Sequence, residues 1–253
     1  MKYAFAGDRQ ISCTLLKMLR RKNLNPSALL VTKGPGSTHS AELKDISGLD
    51  EKEVLEGKEA IKKKDNLEWL KSLELDYIIG IHYPYIIPKG LLEIPKIGFL
   101  NLHPAYLPYN KGWHTPSWAI LDKTPYGATL HFMAESLDAG DIIHQKKLDV
   151  KSFDTANTLY QKTLKLEEEV FEEALDDLIA LSPEQKAQTE KGTSHKKRDL
   201  EKIRHFGLDD EVRIRDFLDK TRALTTNRSD ELAYYEEEGK KIGVKIEFIE
   251  LDE

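Results

Sequence analysis

The chain has 253 residues, with 44 acidic against 38 basic side chains and a net charge of −6. That length buries a sizeable core and allows one main domain with a smaller appendage. The acidic balance excludes a global positive field for nucleic acid, so a polyanionic partner would need a local patch.

Lys2 to Ala6 reads as a buried strand, Gly7 to Gln10 as a turn and Ile11 to Arg21 as a helix with apolar residues at helical spacing, which starts an α/β unit. The N-terminus enters that strand without a signal-peptide core, and no later run is long and apolar enough to span a bilayer. A soluble, cytoplasmic protein without a membrane partner is expected. The single cysteine, Cys13, lies in the first helix beside Leu15 and Leu16. It reads as a structural thiol, with no disulfide or metal staple.

Ala28 to Thr32 gives a second strand and Gly34-Pro35-Gly36-Ser37-Thr38 a loop. A helix over Leu67 to Leu73 feeds a strand over Tyr77 to His82, and further strands follow at Ile97 to Leu102 and Ala128 to Met133. Strands alternating with helices predict an α/β fold with a mostly parallel sheet. Thr155 to Leu181 reads as a long helix whose many acids form its solvated face. Ser182 to Arg198, polar and with Pro183 and Gly192, reads as a surface connection. A small C-terminal α+β appendage follows, with a helix around Val212 to Leu218. Its hairpin takes Leu232 to Tyr235 through a turn near Gly239 into Val244, Ile246 and Phe248. The expected division is residues 1–182, a linker over 183–198 and the appendage over 199–253.

Asn101-Leu102-His103-Pro104 closes an apolar strand, and Asn101 and His103, two apart on extended backbone, leave the same face of the sheet. Asp138 opens a Gly-containing turn, Leu137-Asp138-Ala139-Gly140-Asp141, after another apolar strand. Ligands of such sheets favour the carboxyl ends of strands. An Asn amide stabilises an oxyanion, a His moves protons near neutral pH and an Asp orients that His, a set suited to acyl transfer to an amine. Taken singly, the three read as a turn residue, a loop histidine and a cap. Nucleophile motifs are absent: there is no Gly-x-Ser-x-Gly. Of the eight histidines, His131 and His144 read as packing or surface residues on strands. His114, beside Gly112 and Trp113, reads as a substrate contact. The histidines lack the pairing typical of zinc, and no metal is expected.

The stretch from Asn101 to Pro108, followed by Gly112 and then by Leu137 to Ile143, resembles the folate-dependent formyltransferase family, most strongly over about Asp76 to Val150. The resemblance implies a Rossmann-like catalytic domain over residues 1–182, 10-formyltetrahydrofolate as co-substrate, and Asn101, His103 and Asp138 as the catalytic trio. In that chemistry a neutral amine attacks the formyl carbon, Asn101 and His103 stabilise the oxyanion, and Asp138 tunes or relays the proton. No covalent enzyme intermediate is required. The resemblance also implies a pterin pocket from His82, Tyr83, Pro84, Tyr85, Ile86 and Ile87 together with the loop from Ala134 and Glu135 to Gly140. Packing of a strand-to-helix corner is the other reading of Tyr85, Ile86 and Ile87.

Gly7-Asp8-Arg9-Gln10 is a phosphate candidate in which Arg9 adds charge, or an ordinary capped turn. The family's purine-pathway members carry a richer Gly/Ser/Asn loop there, a departure that argues against glycinamide ribonucleotide as acceptor. Methionyl-tRNA formyltransferases share the core but add a sizeable basic C-terminal domain. The region after Ser182 is short and carries Glu236-Glu237-Glu238, so tRNA is the runner-up acceptor.

The sugar N-formyltransferases are more similar: Tyr106 to Gly112 with Thr115-Pro116 and Trp118 matches their acceptor loop, and Arg222-Ala223-Leu224-Thr225 before the hairpin matches their small appendage. That similarity implies a dTDP-linked 3-amino or 4-amino sugar as acceptor, contacted by Arg9, Tyr106, Gly112, Trp113, His114 and Lys197. The run His195-Lys196-Lys197-Arg198 would meet the diphosphate or form a solvated turn. The hairpin would pair across a homodimer or pack on its own domain. The alternative of another class is a non-catalytic folate- or nucleotide-binding module, and retention of all three polar residues argues against it.

Overall fold

The computed structural model describes residues 1–251. The chain runs β1 (Tyr3–Gly7), α1 (Arg9–Arg21), β2 (Ala28–Val31), α2 (Ser40–Ser47), β3 (Val54–Glu56), α3 (Lys64–Ser72), β4 (Tyr77–Ile81), α4 (Lys89–Leu92) and β5 (Gly98–His103). It continues through β6 (Lys111–Gly112), α5 (Thr115–Asp122), β7 (Tyr126–Phe132), β8 (Ile142–Leu148), α6 (Ala156–Ile179), β9 (Ser194–His195), α7 (Ile214–Ala223), β10 (Ala233–Glu237) and β11 (Lys240–Val244). Two compact units emerge. One comprises Met1–His103, Thr129–His144 and Glu167–Gln188, and the other the remaining segments.

The first unit is built on a seven-stranded sheet of order β3-β2-β1-β4-β5-β7-β8. Its β1–β2, β2–β3, β1–β4 and β4–β5 pairs are parallel and β5–β7 is antiparallel. The expected mostly parallel, Rossmann-like α/β architecture is therefore what the chain adopts. β1 and β4 are buried at every position, which is why both read as unbroken apolar runs in place of alternating ones. α1 turns Ile11, Leu15, Leu16 and Leu19 inward and ends on Arg20 and Arg21, which suit the negative end of its dipole. Ala4, Ala6, Leu30, Ile78 and Phe99 form the core of one sheet face.

The order reverses between β1 and β4, where the chain returns to the other side of β1 after β3. This is the switch point at which ligands of such sheets bind, outside the carboxyl ends of the strands. Among the described residues, no helix is long and apolar enough to cross a membrane.

In the second unit, β6 pairs in parallel with β9, and α5 and α7 share a small core with Tyr126, Ala156 and Leu159. The expected hairpin forms as β10 and β11, but it stops at Val244, which pairs with Ala233, the first residue of its partner. Beyond it the backbone N–H of Ile246 donates to Thr225 Oγ1. The alternation of Ile246 and Phe248 therefore runs past the strand.

Candidate functional site

The antiparallel register of β5 and β7 sets Asn101 opposite His131 and His103 opposite Thr129. Directly opposed residues share a face of the sheet, so an amide, two imidazoles and a hydroxyl line one patch at the carboxyl end of β5. Asn101 Nδ2 lies 3.2 Å from His131 Nε2, and His131 Nδ1 lies 2.8 Å from the carbonyl oxygen of Phe132. A carbonyl can only accept, so Nδ1 carries the hydrogen in the neutral ring and Nε2 accepts from the amide. His103 and His131 meet edge to face at 6.2 Å between ring centres.

Asp138 completes the cluster from the loop after β7. Its Oδ2 lies 3.6 Å from His103 Nε2 and its Oδ1 3.8 Å from His131 Nε2, with the carboxylate only 8% exposed. Two backbone features hold it there. Asp138 itself takes a left-handed φ of +48°, a conformation Asp tolerates better than most residues. At Gly140 a Cβ would sit 1.9 Å from the Phe132 carbonyl oxygen, so only glycine lets the loop close this tightly against β7. Asn101, His103 and Asp138 are thus brought together in one unit. His131, read from sequence as packing, belongs with them, because strand register is what aligns it with Asn101.

The residues of the expected pterin pocket also lie in this unit. His82, at φ +48°, is turned inward and its Nε2 meets both carboxylate oxygens of Glu167, at 2.9 and 3.1 Å. Burial alone would lower the His82 pKa, but the charge and hydrogen bond of Glu167 outweigh it and the pKa is raised. Glu167 is fully buried. The expectation that the acids of the long helix are only its solvated face fails at this position, since a single buried histidine recruits one of them.

Tyr83 and Tyr85 pack edge to face, and the Tyr83 hydroxyl is buried without a hydrogen-bond partner. Tyr85 Oη accepts from the N–H of Lys33. Ile86 is 86% exposed. Glu135, next to Ala134, pairs with Lys89 at the surface.

In the turn after β1, the Asp8 carboxylate reaches across to the start of α2. Its Oδ1 accepts from the Thr38 N–H, the Thr38 hydroxyl and the His39 N–H, at 2.9–3.2 Å. Burial would raise the Asp8 pKa, and these hydrogen bonds hold it below the usual carboxylate range. Arg9, at φ +72°, keeps Nη1 3.7 Å from Asp8 Oδ2 and is partly exposed.

In the second unit Trp113, 44% exposed, carries Lys197 Nζ over its ring at 5.2 Å. His114, left-handed at φ +57°, lies 3.6 Å from Glu231. Burial lowers the His114 pKa, with Glu231 opposing. His195 stacks on Trp118 at 3.8 Å and meets Asp122 at 2.7 Å, so it is not part of a solvated turn. Tyr106 lies under Lys147 Nζ, and Gly112, at φ +94°, pairs with His195. Arg222 is a buried clamp on the carbonyls of Lys151 and Asp154. Among the described residues, no group of three or more His, Cys, Asp or Glu side chains is arranged to hold a metal.

Known proteins resemble this chain in sequence and in fold. The methionyl-tRNA formyltransferase of Listeria innocua is 39% identical over 123 residues, 48% of this chain and 39% of that protein. The chain therefore matches about two fifths of that curated relative's length. The dTDP-4-amino-4,6-dideoxyglucose formyltransferase of Mycobacterium bovis is 28% identical over 171 residues, 68% of this chain and 72% of that one. The crystal structure of a 4-N formyltransferase from Francisella tularensis has a TM-score of 0.81 at 25% identity, covering 99% of this chain and 98% of that one. Residues 199–250 match the N-formyltransferase dimerization C-terminal domain. Since residues 1–175 match the formyl transferase model, well over half of the length, the chain belongs to the formyl transferase family.

Proposed function

We propose that the protein transfers a formyl group from 10-formyltetrahydrofolate to the primary amine of a nucleotide-linked amino sugar, with a dTDP-linked sugar as the acceptor class. The observation that carries the reading is the meeting of Asn101, His103, His131 and Asp138 at one sheet edge. An amide donor, an imidazole and a buried carboxylate there suit attack of an amine on a formyl carbon.

Asn101, its amide oriented by His131, donates to the oxygen that gains negative charge when the amine nitrogen bonds the formyl carbon. His103 adds a second polar contact to that oxygen. The proton shed by the amine passes to the His103–Asp138 pair and on to the folate nitrogen as its bond to the formyl carbon breaks. Their 3.6 Å separation is to shorten to a hydrogen bond as the proton is transferred. The segment from His82 to Ile87 and the loop from Ala134 to Gly140 hold the pterin. Arg9, Tyr106, Gly112, Trp113, His114 and Lys197 contact the acceptor.

Support for the sugar over a tRNA comes from the C-terminal region, which matches a short dimerization module and is acidic at Glu236-Glu237-Glu238. It also comes from the mycobacterial relative, named for a dTDP-linked amino sugar. The same module supports a homodimer, which light scattering on the eluting protein would detect. The deciding experiment offers 10-formyltetrahydrofolate with dTDP-, UDP- and GDP-linked amino sugars and with Met-tRNA, and reads product mass. A sugar gaining the mass of a formyl group is the expected result. Transfer to Met-tRNA alone would overturn the acceptor class, and folate binding without transfer would point to a binding module.

A further inference from the structure

Gln188 lies in the polar segment after α6, read from sequence as a surface connection. The segment is held in place where Ile142 and Lys186 exchange both backbone hydrogen bonds, at 2.8 and 2.9 Å. Two residues on, the Gln188 side chain turns to the catalytic loop. Its Nε2 donates to the carbonyl oxygen of Asp138 at 2.9 Å and to that of Gly140 at 2.7 Å.

Both acceptors are carbonyls, so the amide can take only this orientation: a flip would set three oxygens against one another. One nitrogen with two hydrogens therefore bridges the residues on either side of Ala139. It braces the turn in which Asp138 is left-handed and Gly140 is pressed against Phe132. The Gln188 Oε1 is buried and has no hydrogen-bond partner. An orphaned acceptor is disfavoured, which makes the bridge by Nε2 the reason the side chain turns to this loop.

We propose that Gln188 is a positioning residue for catalysis, acting through Asp138: it fixes the turn that sets the carboxylate beside His103 and His131. The proposal rests on the formyl-transfer reading of the site and extends it to a residue outside the trio. Displacement of a catalytic group by about 1 Å costs on the order of a hundredfold in rate, so a brace that holds the Asp138 backbone governs turnover without touching substrate.

The test uses two variants, Gln188→Glu, which keeps the shape but turns an oxygen on both carbonyls, and Gln188→Met, which removes the donor without adding charge. With 10-formyltetrahydrofolate and dTDP-4-amino-4,6-dideoxyglucose, each is expected to lose kcat by about ten- to a hundredfold. KM for the amino sugar should stay within about threefold, because the contacts assigned to the acceptor lie outside this turn. In an Asp138→Asn background the same substitutions should cost less than about threefold, since the group they position no longer acts. Equal losses in both backgrounds, or undiminished kcat, would overturn the proposal.

Crystal structures of the two variants give a second readout that needs no acceptor. The Asp138 carboxylate should move away from His103 by about 1 Å or more, and an unmoved carboxylate in either variant that crystallises overturns the proposal. Wild-type protein that transfers nothing to the sugar would count against the acceptor class alone, leaving Gln188 to be judged on the displacement.

Discussion

The Asn101 side-chain amide is held by His131 across the β5–β7 pair, 3.2 Å from Nδ2 to Nε2, while His131 is itself fixed by the Phe132 carbonyl. An amide nitrogen carries two hydrogens, so one sets the orientation and the other is available to the reacting oxygen of the proposed transfer. Asn101→Ala should therefore lower kcat for formyl transfer by about 10²–10³-fold, the usual cost of an oxyanion donor. His131→Ala should cost about tenfold, with little change in KM. Steady-state kinetics on both variants checks the pair, and a His131 variant of wild-type kcat would refute the orienting role.

Asp138 tells a different story, because a carboxylate and an amide differ in the proton they can take. Asp138→Asn keeps the shape of the turn and should lower kcat by about 10²–10⁴-fold, the range of general acid–base catalysis. Folate affinity, measured by fluorescence titration with tetrahydrofolate, should hold within a few fold. Retained turnover would exclude the carboxylate from proton transfer.

Gly140→Ala tests the loop by steric means. The added Cβ would sit 1.9 Å from a backbone oxygen, so the loop must shift. A loss of about 1–3 kcal/mol in urea unfolding, together with a fall in kcat, is expected. A stable variant with impaired turnover would place the shift in the site alone, and one unaffected in both would show that the close approach is relieved in solution.

The His82–Glu167 pair makes stability depend on pH. The folded-state pKa of His82 is raised. Its contribution is therefore fully present below the unfolded value of about 6.5 and is lost as pH rises through the higher folded value. His82→Ala, which leaves Glu167 buried without its cation, should cost about 3–5 kcal/mol near pH 6. The gap to wild type should narrow at alkaline pH. Urea melts across that range decide it, and a gap that widens with pH would contradict a charged His82.

Trp113 and Lys197 form a cation–π pair in the second unit. Trp113→Ala should raise the acceptor KM by about five- to thirtyfold, the size of a lost base-stacking contact, and leave the folate KM unchanged. A rise in both would place Trp113 elsewhere.

Much of this was legible in the sequence because its signals are local. Asn101 and His103 announce themselves by a spacing of two at the end of an apolar strand, and Asp138 by its glycine-bearing turn. His131 was not legible: on its own strand it is one more alternating residue, and only the register with β5 makes it a neighbour of Asn101. Glu167 is one acid among many in α6, and nothing in that run marks the position that His82 reaches. Gln188 sits in a polar segment whose composition predicts a connection and is silent on which carbonyls it will meet. The hairpin erred at its end, because alternation persists in Ile246 and Phe248 after the pairing partner has begun at Ala233.

Asp8 has a consequence for what the turn after β1 can hold. The start of α2, with the Thr38 and His39 N–H groups and the Thr38 hydroxyl converging on one carboxylate oxygen, is the kind of socket in which a free phosphate would otherwise settle. Here the socket is filled by a covalently tethered counter-ion that cannot diffuse away. A ligand phosphate seeking those donors meets a fixed negative charge in a sheltered place. The donors of the turn are therefore already satisfied by Asp8, and Arg9, partly exposed beside it, is the charge left to face an anion.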